Sequence, residues 1–138
     1  LRADRRLLPG AIEEFLRFES PVKNATFRCT TEPTELAGVL VPARELVVLS
    51  LGSANRDPDR YADPDQLDIE RDVSGHMAFG HGIHYCLGAP LARLEAEIAF
   101  NRLLDKYDRI ELTVPLADLR WRPGMLIRGL ERFPVHLA

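Results

Sequence analysis

The feature that most constrains this chain is the run Phe79-Gly80-His81-Gly82-Ile83-His84-Tyr85-Cys86-Leu87-Gly88, which ends where a helical pattern begins. From there, apolar Leu87, Leu91, Leu94 and Ile98 recur at intervals of four, three and four residues, with Arg93, Glu95, Glu97 and Arg102 interleaved. This spacing predicts an amphipathic helix running to about Tyr107, with Pro90 in the first turn, where proline is tolerated. A cysteine sulfur at the amino end of such a helix faces unpaired backbone amides and the positive end of the helix dipole. Both favour its thiolate, a strong metal ligand.

Glycines at 80, 82 and 88 permit positive φ values and remove side chains where backbone would collide with a flat ligand such as a planar macrocycle. Phe79, seven residues before the cysteine, is expected to fold over the sulfur and keep water from it, tuning its basicity and the potential of a bound iron. Two other readings compete. An arbitrary lone cysteine is more commonly a buried core residue, but the glycine spacing and the helix start weigh against that reading here. The crowding of His76, His81 and His84 with Cys86 also raises zinc, but zinc sites usually pair closely spaced ligand doublets from two segments, and the chain has no second doublet.

Elsewhere the pattern is mixed. Residues 9–19 read as a helix opened by Pro9 and Gly10, with Ile12, Phe15 and Leu16 on its apolar side and a stop at Ser20-Pro21. Residues 25–31, 38–41 and 45–51 read as short strands forming hairpins. Residues 52–75, rich in Asp, Pro, Arg, Asn and Gly, read as a long irregular stretch, a kind of segment that tends to be functional. Residues 110–114, 125–130 and 133–137 read as closing strands, the last two joined by a tight turn at Glu131-Arg132. The expected fold class is mainly α with short β hairpins.

Composition narrows the partners. With 46% hydrophobic and 28% charged residues the chain has the make-up of one globular unit. A net charge of −3 and a pI near 5.8 argue against nucleic acid or a membrane surface as partner. The apolar runs, such as residues 46–51, fall far short of the roughly 20 residues a membrane-spanning helix needs. The first ten residues show no secretory pattern, so a cytoplasmic location is expected, with Cys29 and Cys86 both reduced.

The loop resembles the cysteine-ligand signature of cytochrome P450 enzymes: phenylalanine, glycine three residues on, cysteine four later and glycine two beyond. Phe79, Gly82, Cys86 and Gly88 match all four positions. The run from Ala78 to His84, the Ala-Pro-Leu-Ala-Arg run ending at Arg93, and Asn55-Arg56-Asp57-Pro58 look like the soluble bacterial members. The resemblance implies the carboxy-terminal portion of the P450 fold, with residues 1–138 forming the last part of a single domain.

It also implies roles. Cys86 would be the axial ligand and catalytic centre, holding the iron of haem b (iron protoporphyrin IX), with Phe79, Gly80, Gly82, His84 and Gly88 lining the haem site. Arg28 and His84 would contact the propionates, a chemically sensible match for carboxylates. Glu14 and Arg17 match the family's Glu-x-x-Arg pair and Arg71 its third member, although Leu67 and Ile69 stand where the family more often has aromatic and proline residues. By helical projection alone, Glu14 and Arg17 would be an exposed pair worth roughly 0.2–0.5 kcal/mol. The resemblance makes them a buried network. Val22, Asn24, Ala25, Thr26, Met125, Leu126 and Ile127 match regions that touch substrate.

The implied activity of the whole enzyme is oxygen insertion into a small organic substrate, using O2 and electrons from NAD(P)H through a ferredoxin and its reductase. The proton-relay helix of the family has no match in these 138 residues. The isolated chain is therefore expected to be inactive, and a haem-binding or sensing fragment without turnover is the alternative.

Overall fold

The computed structural model describes residues 1–138 throughout. Helix α1 spans Leu8–Glu19 and opens with a proline in its first turn, whose missing N–H costs nothing there. It ends at Ser20, which takes a left-handed conformation (φ 39°) and donates its amide back to the Leu16 carbonyl. One face of α1 buries Leu8, Ala11 and Ile12, and the same helix buries Glu14 and Arg17.

Three two-stranded antiparallel sheets follow from segments too short to be specified locally. Strands β2 (Thr34–Leu36) and β3 (Val39–Val41) form a hairpin across Ala37 and Gly38, both at positive φ, as a two-residue hairpin turn of the right twist demands. Strand β1 (Arg28–Cys29) pairs with β4 (Leu46–Val47), so the hairpin is an excursion between two strands that face each other. The expected strands at 25–31 and 45–51 are thus mostly irregular. Their association continues through the Ala25 amide on the Leu49 carbonyl (2.9 Å) and an Asn24–Ser50 bridge. The later segment turns into a one-turn helix, α2 (Leu51–Ala54), because the Ser50 hydroxyl caps the Ser53 amide.

From Asn55 to Phe79 the chain meanders without regular elements, as its composition suggests. Helix α3 (Ala89–Lys106) carries the expected boundaries, but not the expected burial. Leu91, Leu94 and Ile98 are each more than half exposed, and Ala89 is its one buried residue. The apolar stripe is present in the sequence and lacks a covering element in this chain.

The expected strands at 125–130 and 133–137 do not form a hairpin. The chain bends back at Met125-Leu126, so that Trp121 bridges Leu130 and the Arg122 amide reaches the Gly129 carbonyl. Residues 125–128 lie against 21–24, with Ile127 bridging Val22. Strand β5 (Ile110–Leu112) pairs with β6 (Val135–Leu137).

Candidate functional site

The buried centre of the chain is polar. Arg17 donates Nε to Glu14 Oε2 (2.6 Å) and Nη2 to Glu14 Oε1 (2.8 Å), with both side chains 0% exposed. Its Nη1 reaches the carbonyls of Asn55 (2.8 Å) and Pro64 (2.9 Å), and Nη2 also reaches that of Gln66 (3.4 Å). All five guanidinium donors are therefore engaged, and helix α1 is stitched to the meander. Arg71 brings Nε to 3.6 Å from Glu14 Oε1, and its Nη atoms donate to the carbonyls of Ala62, Asp63 and Gln66. The exposed-pair reading of Glu14 and Arg17 is overturned, because the meander, not solvent, lies over that side of α1.

Burial alone would push the Glu14 carboxyl up. The Arg17 bond, the Asp68 amide donating to Oε1 (3.0 Å) and the charges of Arg17 and Arg71 together hold it below the usual carboxylate range. Asn55, fully buried, extends the network: Nδ2 donates to the Ser20 hydroxyl (2.8 Å), and Oδ1 accepts the Met77 amide (2.6 Å). The end of the meander that leads into the cysteine loop is thereby anchored to α1.

The loop itself is tight. The Cys86 amide donates to the Phe79 carbonyl (2.9 Å) and the Tyr85 amide to the Gly82 carbonyl (3.1 Å), with a single 3-10 turn at Gly82–His84. Gly80 (φ 75°) and Gly82 (φ 67°) are left-handed, where a side chain would be strained. Gly88 does not share this reason. Its φ of −82° is ordinary, and a Cβ there would lie 3.7 Å from the Cys86 sulfur. Cys86 is exposed, so Phe79 does not seal it from water. The Phe79 ring instead packs edge-on near Tyr85 (6.3 Å) and beneath the Arg93 guanidinium (4.7 Å).

Cys86, His84, His81, Gly80, Phe79 and Arg28 share one cavity of about 710 Å³, whose remaining wall is chiefly apolar and includes Leu16, Val22, Leu49, Leu51 and Met77. Arg28 holds Thr26 through its hydroxyl (2.7 Å). Of the seven residues matched to substrate contact, Val22, Ala25 and Thr26 line this cavity. Asn24 instead donates to the Met125 carbonyl (2.6 Å), and Met125, Leu126 and Ile127 stand outside the cavity wall. No three His, Cys, Asp or Glu side chains gather as a metal cage. His76 is committed to Glu13 and to the Ala78 amide. Both cysteines are free thiols, and no helix is long and apolar enough to cross a membrane.

An exposed cysteine at the foot of a helix, a left-handed glycine collar and an apolar cavity edged by an arginine thus come together in one place. Residues 1–125 match a family model described as Cytochrome P450. The chain belongs to the cytochrome P450 family. It is 56% identical over 136 residues to Cytochrome P450 107B1 of Saccharopolyspora erythraea, covering 99% of this chain and 34% of that protein. It is 51% identical to the cytochrome P450 monooxygenase PikC of Streptomyces venezuelae, covering 99% and 33%. The tirandamycin C-bound P450 monooxygenase TamI superposes with a TM-score of 0.97 at 59% identity, covering all of this chain and 35% of that one. The chain thus spans about a third of the length of the curated relatives it matches, and its helices and short antiparallel hairpins are a fragment of the P450 fold.

The residues present fit the haem that the family implies. The cavity offers a soft sulfur donor, apolar walls suited to a porphyrin face, and a cation in Arg28 for its carboxylates. Sequence reasoning passed over Glu13, which accepts from Arg93 Nε (2.6 Å) and Nη2 (2.8 Å) across 80 residues. No local spacing reports such a pair. The one available signal was Arg93 itself, the last residue of the family-like run after the cysteine.

Proposed function

We propose that these 138 residues form the carboxy-terminal, haem-binding part of a P450 monooxygenase domain and that Cys86 would hold the iron of its haem. The observation that carries this reading is the convergence of Cys86, His84 and Arg28 on one largely apolar cavity. Haem bound there supplies oxygen activation, and a thiolate ligand favours O–O cleavage by donating electron density.

The protein's own residues do the holding and orienting. Cys86 presents sulfur from the loop neck, Gly80 and Gly82 would let the backbone turn beside a macrocycle, and Arg28 and His84 would hold its propionates. The Phe79 carbonyl holds the Cys86 amide, and Gly88 leaves the space beside the sulfur free of a side chain. Val22, Ala25 and Thr26 border the space for a small organic substrate, with the segment of Met125, Leu126 and Ile127 supporting them from behind. Glu14, Arg17 and Arg71 keep the meander on α1 so that the loop arrives in place. In the whole protein, O2 and electrons from NAD(P)H delivered by a ferredoxin and its reductase complete the reaction. The isolated chain binds haem without turnover.

Reduced, haem-loaded protein treated with carbon monoxide is expected to show the red-shifted Soret band of thiolate ligation, and Cys86→Ala is expected to abolish it. An unchanged band in the variant would eliminate Cys86 as ligand.

A further inference from the structure

Arg93 reaches both ends of the cysteine loop from helix α3. It stands on the first turns of that helix, and its guanidinium is divided among three partners. Two donors hold the carboxylate of Glu13 on α1 (2.6 and 2.8 Å), Nη1 donates to the Tyr85 hydroxyl (3.2 Å), and the flat face lies 4.7 Å from the centre of the Phe79 ring. Phe79 and Tyr85 are the two ends of the loop. One supplies the carbonyl that receives the Cys86 amide, and the other is bonded directly to Cys86.

The loop needs such a hold. Residues 81–88 are all exposed, so it has no core of its own, and its left-handed Gly80 and Gly82 bring no side chains that could pack it down. The clamp, in contrast, is itself fixed. Glu13 also accepts from His76 Nε2 (2.9 Å), and His76 Nδ1 accepts the Ala78 amide (3.2 Å), which assigns the ring proton to Nε2. Helix α1, the end of the meander and helix α3 thus meet at one carboxylate. A planar five-donor group can grip a carboxylate side-on, donate to a hydroxyl and stack on a ring together, and an ammonium cannot.

We infer that Arg93, clamped by Glu13, is a positioning residue that sets how the loop presents the Cys86 sulfur, by holding Phe79 and Tyr85 at its two ends. The inference rests on the reading of Cys86 as iron ligand. Residues around a metal ligand that orient it change metal-site properties by roughly tenfold to a hundredfold when removed.

The test uses the full-length, haem-loaded protein with Arg93→Gln, Arg93→Lys and Tyr85→Phe. The red-shifted band of the reduced carbon monoxide complex is followed over time, and the iron–sulfur stretching band is recorded by resonance Raman. In Arg93→Gln the red-shifted form is expected to decay about tenfold faster than in the parent, with a shifted or broadened iron–sulfur band. Arg93→Lys, which keeps the charge and loses the fork, is expected to behave like Arg93→Gln. Tyr85→Phe, which deletes one hydroxyl from an exposed residue, is expected to accelerate decay by a smaller factor, and it decides the matter if the Arg93 variants do not accumulate. Parental decay and an unmoved iron–sulfur band, even with a lowered Tm, would overturn the inference and leave Cys86 as ligand. A parent without the red-shifted band would overturn both.

Discussion

Arg17 shows what a single residue can settle. An isolated arginine and glutamate three residues apart on a helix contribute little when exposed, and the spacing is common. Here the pair lies under the meander with every guanidinium donor used, so neither charge has water to fall back on. Desolvation offsets much of the attraction, and the network organises more than it stabilises. Removing one partner is different, because the other charge stays buried and unpaired. Glu14→Ala is therefore expected to destabilise the folded protein by about 3–5 kcal/mol in denaturant unfolding. A loss below about 1 kcal/mol, the worth of an exposed pair, would contradict the burial. The Glu-x-x-Arg spacing was legible in the sequence through a family resemblance, and so was Arg71. Their depth was not, since helical projection places them away from the apolar residues and cannot know that a chain segment 40 to 50 residues later covers that side.

Between elements, the decisive contacts are likewise ionic. Helix α1 meets α3 through Glu13 and Arg93 and meets the meander through Glu14. The Arg93 bond pulls the Glu13 carboxyl down against the opposing effect of partial burial, aided by His76, and Glu14 is also held low. A carboxylate with a depressed folded pKa contributes stability above its unfolded value, about 4.3, and that contribution is lost as pH falls through the folded value. Acid is therefore expected to unfold the protein below about pH 4, and Glu13→Gln to flatten part of that dependence, as read from Tm against pH. A variant profile parallel to the parent's would remove Glu13 from the linkage. The elements themselves were unevenly legible. Helices α1 and α3 announce themselves through periodicity and prolines at their starts. Strands of two or three residues do not, because pairing partners decide them: Leu46–Val47 takes Arg28–Cys29 across an intervening hairpin, and the expected strand at 125–130 bends at its start and keeps only the bridges of Ile127 to Val22 and Leu130 to Trp121.

For the whole molecule, the exposed apolar surface is the leading physical fact. Leu87 is 99% exposed, Ile83 is 95% exposed, and Leu91, Leu94 and Ile98 form a stripe along α3. Contiguous apolar surface of this kind marks a face that another structure covers. The 138-residue chain by itself is expected to self-associate at micromolar concentration in sedimentation velocity, and Leu91→Glu with Ile98→Glu to reduce that association. A sharply monomeric parent would argue that the stripe is not sticky. What the sequence determined alone was chemical and local: a cysteine at the foot of a helix, a left-handed glycine collar, and two helices whose periodicity and starting prolines are written in adjacent residues. What only the tertiary structure decided was everything that depends on distant partners. The depth of Glu14 and Arg17, the grip of Arg93 on the loop and the pairing of the short strands all arise from contacts across tens of residues, for which one-dimensional spacing carries no signal.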